Sequence, residues 1–157
     1  MLIIFDLDDT LYDRTGQVPE NYTDEDISRI VPFPGVREFL STSPGKKVLV
    51  TKETVSGLQN RKIDALGLRH HFEAIMICHS DQEKKDCFQQ IISQFPNEEV
   101  WVVGDRVDSE IKYGKELGFK TVWLRHGNHA HQVPQEYGEI PDYELSVFSE
   151  LSEILKR

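Results

Sequence analysis

Only two cysteines, Cys78 and Cys87, occur in 157 residues. Their spacing fits no zinc or redox motif, so a disulfide framework is not expected, and both read as buried free thiols. No apolar stretch is long enough to span a bilayer. The N-terminus lacks a basic region, a long apolar core and a small-residue cleavage site, so it does not read as a signal peptide, and a cytoplasmic location is the default expectation. Basic residues are in deficit, with 18 Lys and Arg against 27 Asp and Glu and a formal charge of −9. That balance argues against a generally basic nucleic-acid surface and against anionic membranes. There is no internal repeat and no sign of a second domain. The length suits one domain, 1–157, with room for a real core.

What the chain does have is a regular alternation of apolar runs and amphipathic segments. Strands are expected at 2–5, 47–51, 73–77, 100–104 and 121–124, with a short edge strand at 143–145. Helices are expected at 35–40 after Pro34, at 54–66 ending at Gly67, at 85–95, at 109–117 ending at Gly118, and at 148–155. Phe88, Ile91, Ile92 and Phe95 fall on one face of the third of these. Residues 12–32 read as a polar loop or flap and 125–142 as a second long connection. Continuous apolar strands alternating with helices imply βαβ units, hence a three-layer α/β/α, Rossmann-like parallel sheet.

The first apolar run ends in Asp6-Leu7-Asp8-Asp9-Thr10. Carboxylates crowded at a strand end repel one another and lose hydration, which calls for a cation among them. Hard oxygen ligands favour Mg²⁺. On extended backbone Asp6 and Asp8 point to one side. A surface turn rich in aspartate is the bland alternative. It loses ground because further polar groups also fall at expected C-terminal strand ends, where open parallel sheets bind ligands. Thr51 ends the second strand, Lys84 and Lys85 lie near a helix start, and Gly104-Asp105-Arg106-Val107-Asp108-Ser109-Glu110 follows the fourth strand. Acids can collect a metal, a hydroxyl and a lysine can hold anionic oxygens, and a carboxylate can attack phosphorus.

In these motifs and their order, from Leu2 to about Leu151, the chain resembles the haloacid dehalogenase superfamily on its phosphatase branch. DxDxT is matched by Asp6 to Thr10, the strand-ending Thr by Thr51, the helix lysine by Lys84 or Lys85, and the acidic GDxxxx(D/E) by Gly104 to Glu110. The resemblance implies that Asp6 is the nucleophile and a metal ligand. Asp8 would be the acid and base, with its backbone carbonyl on Mg²⁺. Asp105 would be a further ligand, with Asp108 or Glu110 as the second acid, Glu110 matching the commoner spacing. Thr51 and the lysine would bind phosphoryl oxygens. A second aspartate at Asp8 disfavours the dehalogenase and phosphonatase branches. Neither the 10–51 gap nor the 51–84 gap has room for the family's cap domain.

The resemblance therefore implies a capless, Mg²⁺-dependent phosphomonoesterase. A phosphorylated small molecule or a phosphoprotein is the expected substrate, and a neighbouring copy in a homo-oligomer or the 12–32 segment could cover the site. The rival readings are a phosphate-recognising module without turnover and phosphoryl transfer to an acceptor other than water. Arg106 is expected to pair with Asp108 or Glu110. His126, His129 and His131 read as a solvated loop, His70 and His71 carry no chemistry, Trp101 and Trp123 are core, and Asp24 to Asp26 form a solvated cap or turn.

Overall fold

The computed structural model describes residues 1–156. Six parallel strands form one sheet: β1 Leu2–Phe5, β2 Lys46–Lys52, β3 Ala74–Cys78, β4 Val100–Gly104, β5 Lys120–Leu124 and β6 Tyr143–Leu145, in the order β3-β2-β1-β4-β5-β6. Strand β1 is central and fully buried. Its side chains alternate between the two faces, as the two-residue period of a strand requires. Ile3 and Phe5 join Leu49, Trp101, Val103 and Val122 in the larger core cluster. That face is covered by α3 Val36–Thr42, α4 Leu58–Leu66 and α7 Leu151–Leu155. Leu2 and Ile4 join Val48, Val50, Val100 and Val102 under α5 Asp81–Gln94 and α6 Lys112–Glu116. The result is the three-layer α/β/α arrangement expected from the alternation of strands and helices. No separate cap layer is present among the described residues.

Several boundaries differ from the sequence reading, each for a local reason. Helix α4 begins at Leu58 rather than 54, because the buried Glu53 carboxylate accepts the backbone N–H groups of Gly57 and Gln59 and holds the intervening residues as a turn. Helix α5 begins at Asp81 rather than 85, since the Ser80 hydroxyl caps it by accepting from Glu83 N at 3.1 Å. Ile92 is exposed, so the apolar face of α5 is narrower than the pattern suggested. Strand β3 is an edge strand with half-buried side chains. The 12–32 segment is not irregular. It holds α1 Arg14–Gln17 and α2 Asp24–Ser28, and Thr23 with Asp26 forms a reciprocal cap on α2. Cys78 is buried and Cys87 half-buried, both as free thiols. No helix of the described residues is long and apolar enough to cross a membrane.

Phe5 is the packing hub nearest the chemistry, with ring centroids 6.1, 6.5 and 6.3 Å from Phe39, Phe72 and Phe148. Phe5→Ala is expected to cost about 3–5 kcal/mol of folding stability. Denaturant unfolding followed by tryptophan fluorescence checks it, and a loss below about 1 kcal/mol would mean that the cavity collapses.

Candidate active site

The strand order reverses its direction of growth between β1 and β4, and the crevice at such a switch point is where open parallel sheets bind ligands. Asp6 leaves the end of β1 and Asp105 the end of β4. Asp6 N donates to Val103 O across the gap at 3.1 Å, tying the two strand ends together. A polar cleft of about 210 Å³ opens here, with Asp6, Asp8, Lys84, Asp105 and Glu110 in its lining.

Lys84 is 4% exposed, and its ammonium donates to Asp6 Oδ1 at 2.9 Å and to Glu110 Oε1. Lys85 points away and pairs with Glu116 at 2.6 Å, so of the two lysines only Lys84 belongs to the cleft. One residue of helical rotation, about 100°, separates the two outcomes. The acidic pair resolves in the same way. Glu110 is buried within the π-helical turn Val107–Ile111 and accepts Arg106 N on Oε2 at 3.1 Å. Asp108 sits outside and accepts from Arg106 Nε and a guanidinium nitrogen at 3.1 and 3.2 Å. Glycine at 104 is a steric requirement, since a β-carbon there would lie 2.5 Å from Glu110 Cγ.

Carboxylate oxygens of Asp6, Asp105 and Glu110 lie within 4.8 Å of one another, all three buried. Burial, then the neighbouring Glu110 and Asp6 charges, raise the Asp105 carboxyl far above the ordinary aspartate range. Burial also raises Asp6, with Lys84 opposing and Glu110 and Asp8 adding. Lys84 is itself held above its usual range, because Asp6 and Glu110 outweigh its burial. An all-oxygen, net-negative, dehydrated set of this kind fits a hard divalent cation such as Mg²⁺.

Asp8 is held by a network that the sequence reading missed. Lys62 Nζ donates to Asp8 Oδ1 at 2.8 Å, Gln59 Nε2 to Oδ2 at 3.0 Å, and the Tyr12 hydroxyl to Oδ1. Gln59 Nε2 also donates to Thr51 Oγ1 at 2.7 Å. Thr51 is thus linked to Asp8 through one amide, although its own side chain is buried behind the cleft lining. A signal for Lys62 was available. Leu58, Lys62 and Leu66 recur every four residues, which puts a lysine in the middle of an apolar helical stripe.

The histidines also need correction. His126 Nε2 lies 2.8 Å from Asp13 Oδ1, and its ring packs edge-on against Phe33. His129 lines the cleft, while His131 alone of the three is exposed. Trp101 and Trp123 are buried in strands, as expected. Arg106 takes the structural pairing expected of it, with its guanidinium on Asp108, and also reaches the cleft lining.

Comparison with known proteins agrees with this geometry. A family model described as haloacid dehalogenase-like hydrolase matches residues 20–118, and the chain belongs to that family. The match includes Thr51, Lys84, Asp105 and Glu110, while Asp6 to Thr10 precede it. A glyceraldehyde 3-phosphate phosphatase of Pyrococcus furiosus is 36% identical over 104 residues, covering 63% of this chain and 43% of that protein. A pyrimidine 5'-nucleotidase of Escherichia coli is 27% identical over 147 residues, covering 89% of this chain and 64% of its own length. The matches therefore span roughly two fifths to two thirds of these relatives' length. The crystallised HAD-hydrolase YfnB of Bacillus subtilis superposes with a TM-score of 0.75 at 18% identity, over 99% of this chain and 98% of that one, a likeness of fold.

Two outcomes follow from the electrostatics. Asp6 and Asp105 take up protons on folding, so metal-free stability falls as pH rises above the ordinary aspartate value of 3.8. Saturating Mg²⁺ is expected to raise the melting temperature by roughly 5–10 °C at pH 8 and by much less at pH 5. Thermal unfolding at the two pH values checks this, and an equal shift at both would contradict it. Separately, Lys62→Met is expected to lower kcat for any reaction that uses Asp8 by roughly 10- to 100-fold, with KM little changed. Steady-state kinetics read the split.

Proposed function

We propose that the chain is a Mg²⁺-dependent phosphomonoesterase of a single HAD-like domain, acting through an aspartyl-phosphate on Asp6. The observation that carries this reading is the Asp6 carboxylate at the β1–β4 crevice, 2.9 Å from the buried Lys84 ammonium and grouped with Asp105 and Glu110. Asp6, Asp105 and Glu110, with the backbone carbonyl of Asp8, would hold Mg²⁺. When bound, the ion supplies positive charge that screens the phosphoryl oxygens from the acidic floor.

The chain's own residues then divide the work. The Asp6 carboxylate attacks phosphorus while the bond to the ester oxygen breaks, and Asp8 gives that leaving oxygen its proton. Water then attacks the phosphorus of the aspartyl-phosphate and loses a proton to Asp8, releasing phosphate and regenerating Asp6. Lys84 stabilises charge on the transferring oxygens. The Thr51 hydroxyl accepts from Gln59 and, buried outside the cleft lining, would act through that amide's hold on Asp8. Lys62, Gln59 and Tyr12 fix Asp8 and share no partner with Lys84, so acid–base and charge-stabilising roles would be carried by separate networks.

A small phosphorylated molecule is the substrate class best supported. The relatives named above are a glyceraldehyde 3-phosphate phosphatase and a pyrimidine 5'-nucleotidase, and the cleft volume of about 210 Å³ lies below the usual range of drug-sized pockets. A phosphoprotein would have to present its phosphoryl group from outside, with the rim side chains as its first contacts.

Phosphate release from a panel of small phosphomonoesters and phosphopeptides, with Mg²⁺ or with EDTA, tests the reading. Release is expected only with metal, to fall by at least roughly 10³-fold in Asp6→Asn and roughly 10²-fold in Lys84→Ala, and to stay within about twofold in Lys85→Ala. Undiminished release by Asp6→Asn would overturn the mechanism. Phosphate binding without release would favour a recognition module, and label transferred to an added alcohol would favour a phosphotransferase.

A further inference from the structure

The cations lining the cleft are not equivalent. Lys84 is committed to Asp6 and Glu110. Lys52 pairs with Asp81 at 2.9 Å, and Arg106 is held by Asp108. Arg14 lines the same cleft, is half-buried, and its guanidinium makes no hydrogen bond or ion pair among the described residues. Asn128 and His129, from the turn Gly127–His129, also line the cleft with side chains that have no protein partner among those residues. Among the cationic side chains of the cleft, Arg14 alone is therefore left without an acidic partner among the described residues, with the half-buried His129 and the exposed Asn128 beside it in the lining.

These groups stand on a fixed wall. Asp9 is buried, with a left-handed backbone at φ 56°. Its carboxylate accepts Thr15 N at 2.9 Å and Thr15 Oγ1 at 2.7 Å, which pins α1 beside the cleft. Gly127 seats directly on that pair, where a β-carbon would lie 2.4 Å from Asp9 Oδ2 and 2.6 Å from Thr15 Oγ1. The His126–Asp13 contact at 2.8 Å closes the junction from the other side. Arg14 and Asn128 are each next in sequence to a residue of this junction, so their backbone positions beside the cleft are set by it. Burial, with Arg106 adding, lowers His129 below its usual range, so the positive charge of this wall at neutral pH is Arg14's.

A guanidinium presents a planar fork of N–H donors matched to carboxylate or phosphate, and a half-buried one without a partner gains most from an anion. We infer that Arg14, with Asn128 and His129, forms a subsite for a second anionic group on the leaving-group side of the substrate. The preferred substrates are then small phosphate monoesters that also carry a carboxylate or a second phosphate. This rests on the phosphatase reading and narrows it.

The test compares kcat/KM for propyl phosphate, 3-phosphooxypropanoate and propane-1,3-diyl bisphosphate, with p-nitrophenyl phosphate as a reference. It uses the intact chain, Arg14→Met, Arg14→Lys and the surface control Lys85→Ala. The intact chain is expected to favour at least one doubly anionic substrate over propyl phosphate by about tenfold or more, mainly through KM. Arg14→Met should bring that ratio close to one with an unchanged melting temperature, Arg14→Lys should retain part of it, and Lys85→Ala should retain all of it. Which arm is favoured identifies carboxylate or phosphate as the recognised group. Equal kcat/KM across the series, or a ratio that survives Arg14→Met, would overturn the subsite, the latter outcome meaning that Arg14 serves the reacting phosphate itself. Turnover of p-nitrophenyl phosphate but none of the three-carbon esters would also overturn it. No turnover of any ester would overturn the phosphatase reading together with the subsite.

Discussion

The ammonium of Lys84 sits between Asp6 and Glu110 with almost no solvent contact, and the arrangement of the strand ends depends on that contact. Carboxylates at the ends of β1 and β4 cannot share a dehydrated crevice unless positive charge is fixed among them. Lysine supplies it from the third layer, reaching down from the first turn of α5, so the helix that covers one face of the sheet is also keyed to the chemistry at its edge. Removing the ammonium would leave two buried acids facing Asp105 without any compensation. The same contact explains why Gly104 must lack a side chain, since Glu110 has to lie flat against the β4 end to meet Lys84.

A second set of contacts organises the opposite rim. The Asp9–Thr15–Gly127 junction and the His126–Asp13 contact join two connections that are far apart in sequence. The first carries the short helices α1 and α2 and the second only 3-10 turns, and where they meet side-chain hydrogen bonds hold them together. The cleft therefore has one wall of charges satisfied within the protein and another whose donors face outward. On the proposed reading, that asymmetry rather than the acidic floor would distinguish one substrate from another.

The sheet was legible because its signals are local. Continuous apolar runs mark buried parallel strands, and all six are bounded to within a residue at each end. The motif acids at Asp6, Asp8, Asp105 and Glu110, and the lysine, could be ranked by spacing but not assigned, since the choice between Lys84 and Lys85 turns on where α5 starts. Ser80 decides that start by capping the helix, and a hydroxyl followed by polar residues competes with many equivalent caps in a sequence. The Asp8 network was missed for a different reason. Gln59 and Lys62 meet Asp8 only through tertiary packing, from 51 and 54 residues away, and nothing in their own neighbourhood requires an acidic partner, whereas Tyr12 reaches it locally from four residues on. A polar side chain on an apolar helical stripe was the available trace. The 12–32 segment reads as a loop or flap because its composition is polar, whereas its two short helices are held by side-chain caps and by Asp9.

The rim of the cleft also bears on the acceptor of the phosphoryl group. Asp8 keeps 28% of its side chain exposed while its three donors are buried or nearly so, so bulk water reaches the group that would activate it without reaching the network that fixes it. Transfer to an alcohol in the presence of water requires the acceptor to be favoured over a solvent present at far higher concentration, and enclosure is the usual means. No inserted layer covers this crevice among the described residues, and the two segments beside it are pinned at Asp9 instead of hinged over the opening. With the acidic cluster dehydrated at the bottom and Asp8 partly exposed at the top, the proposed mechanism would have its charged floor dry and its base within reach of water. Hydrolysis needs that separation and no moving lid.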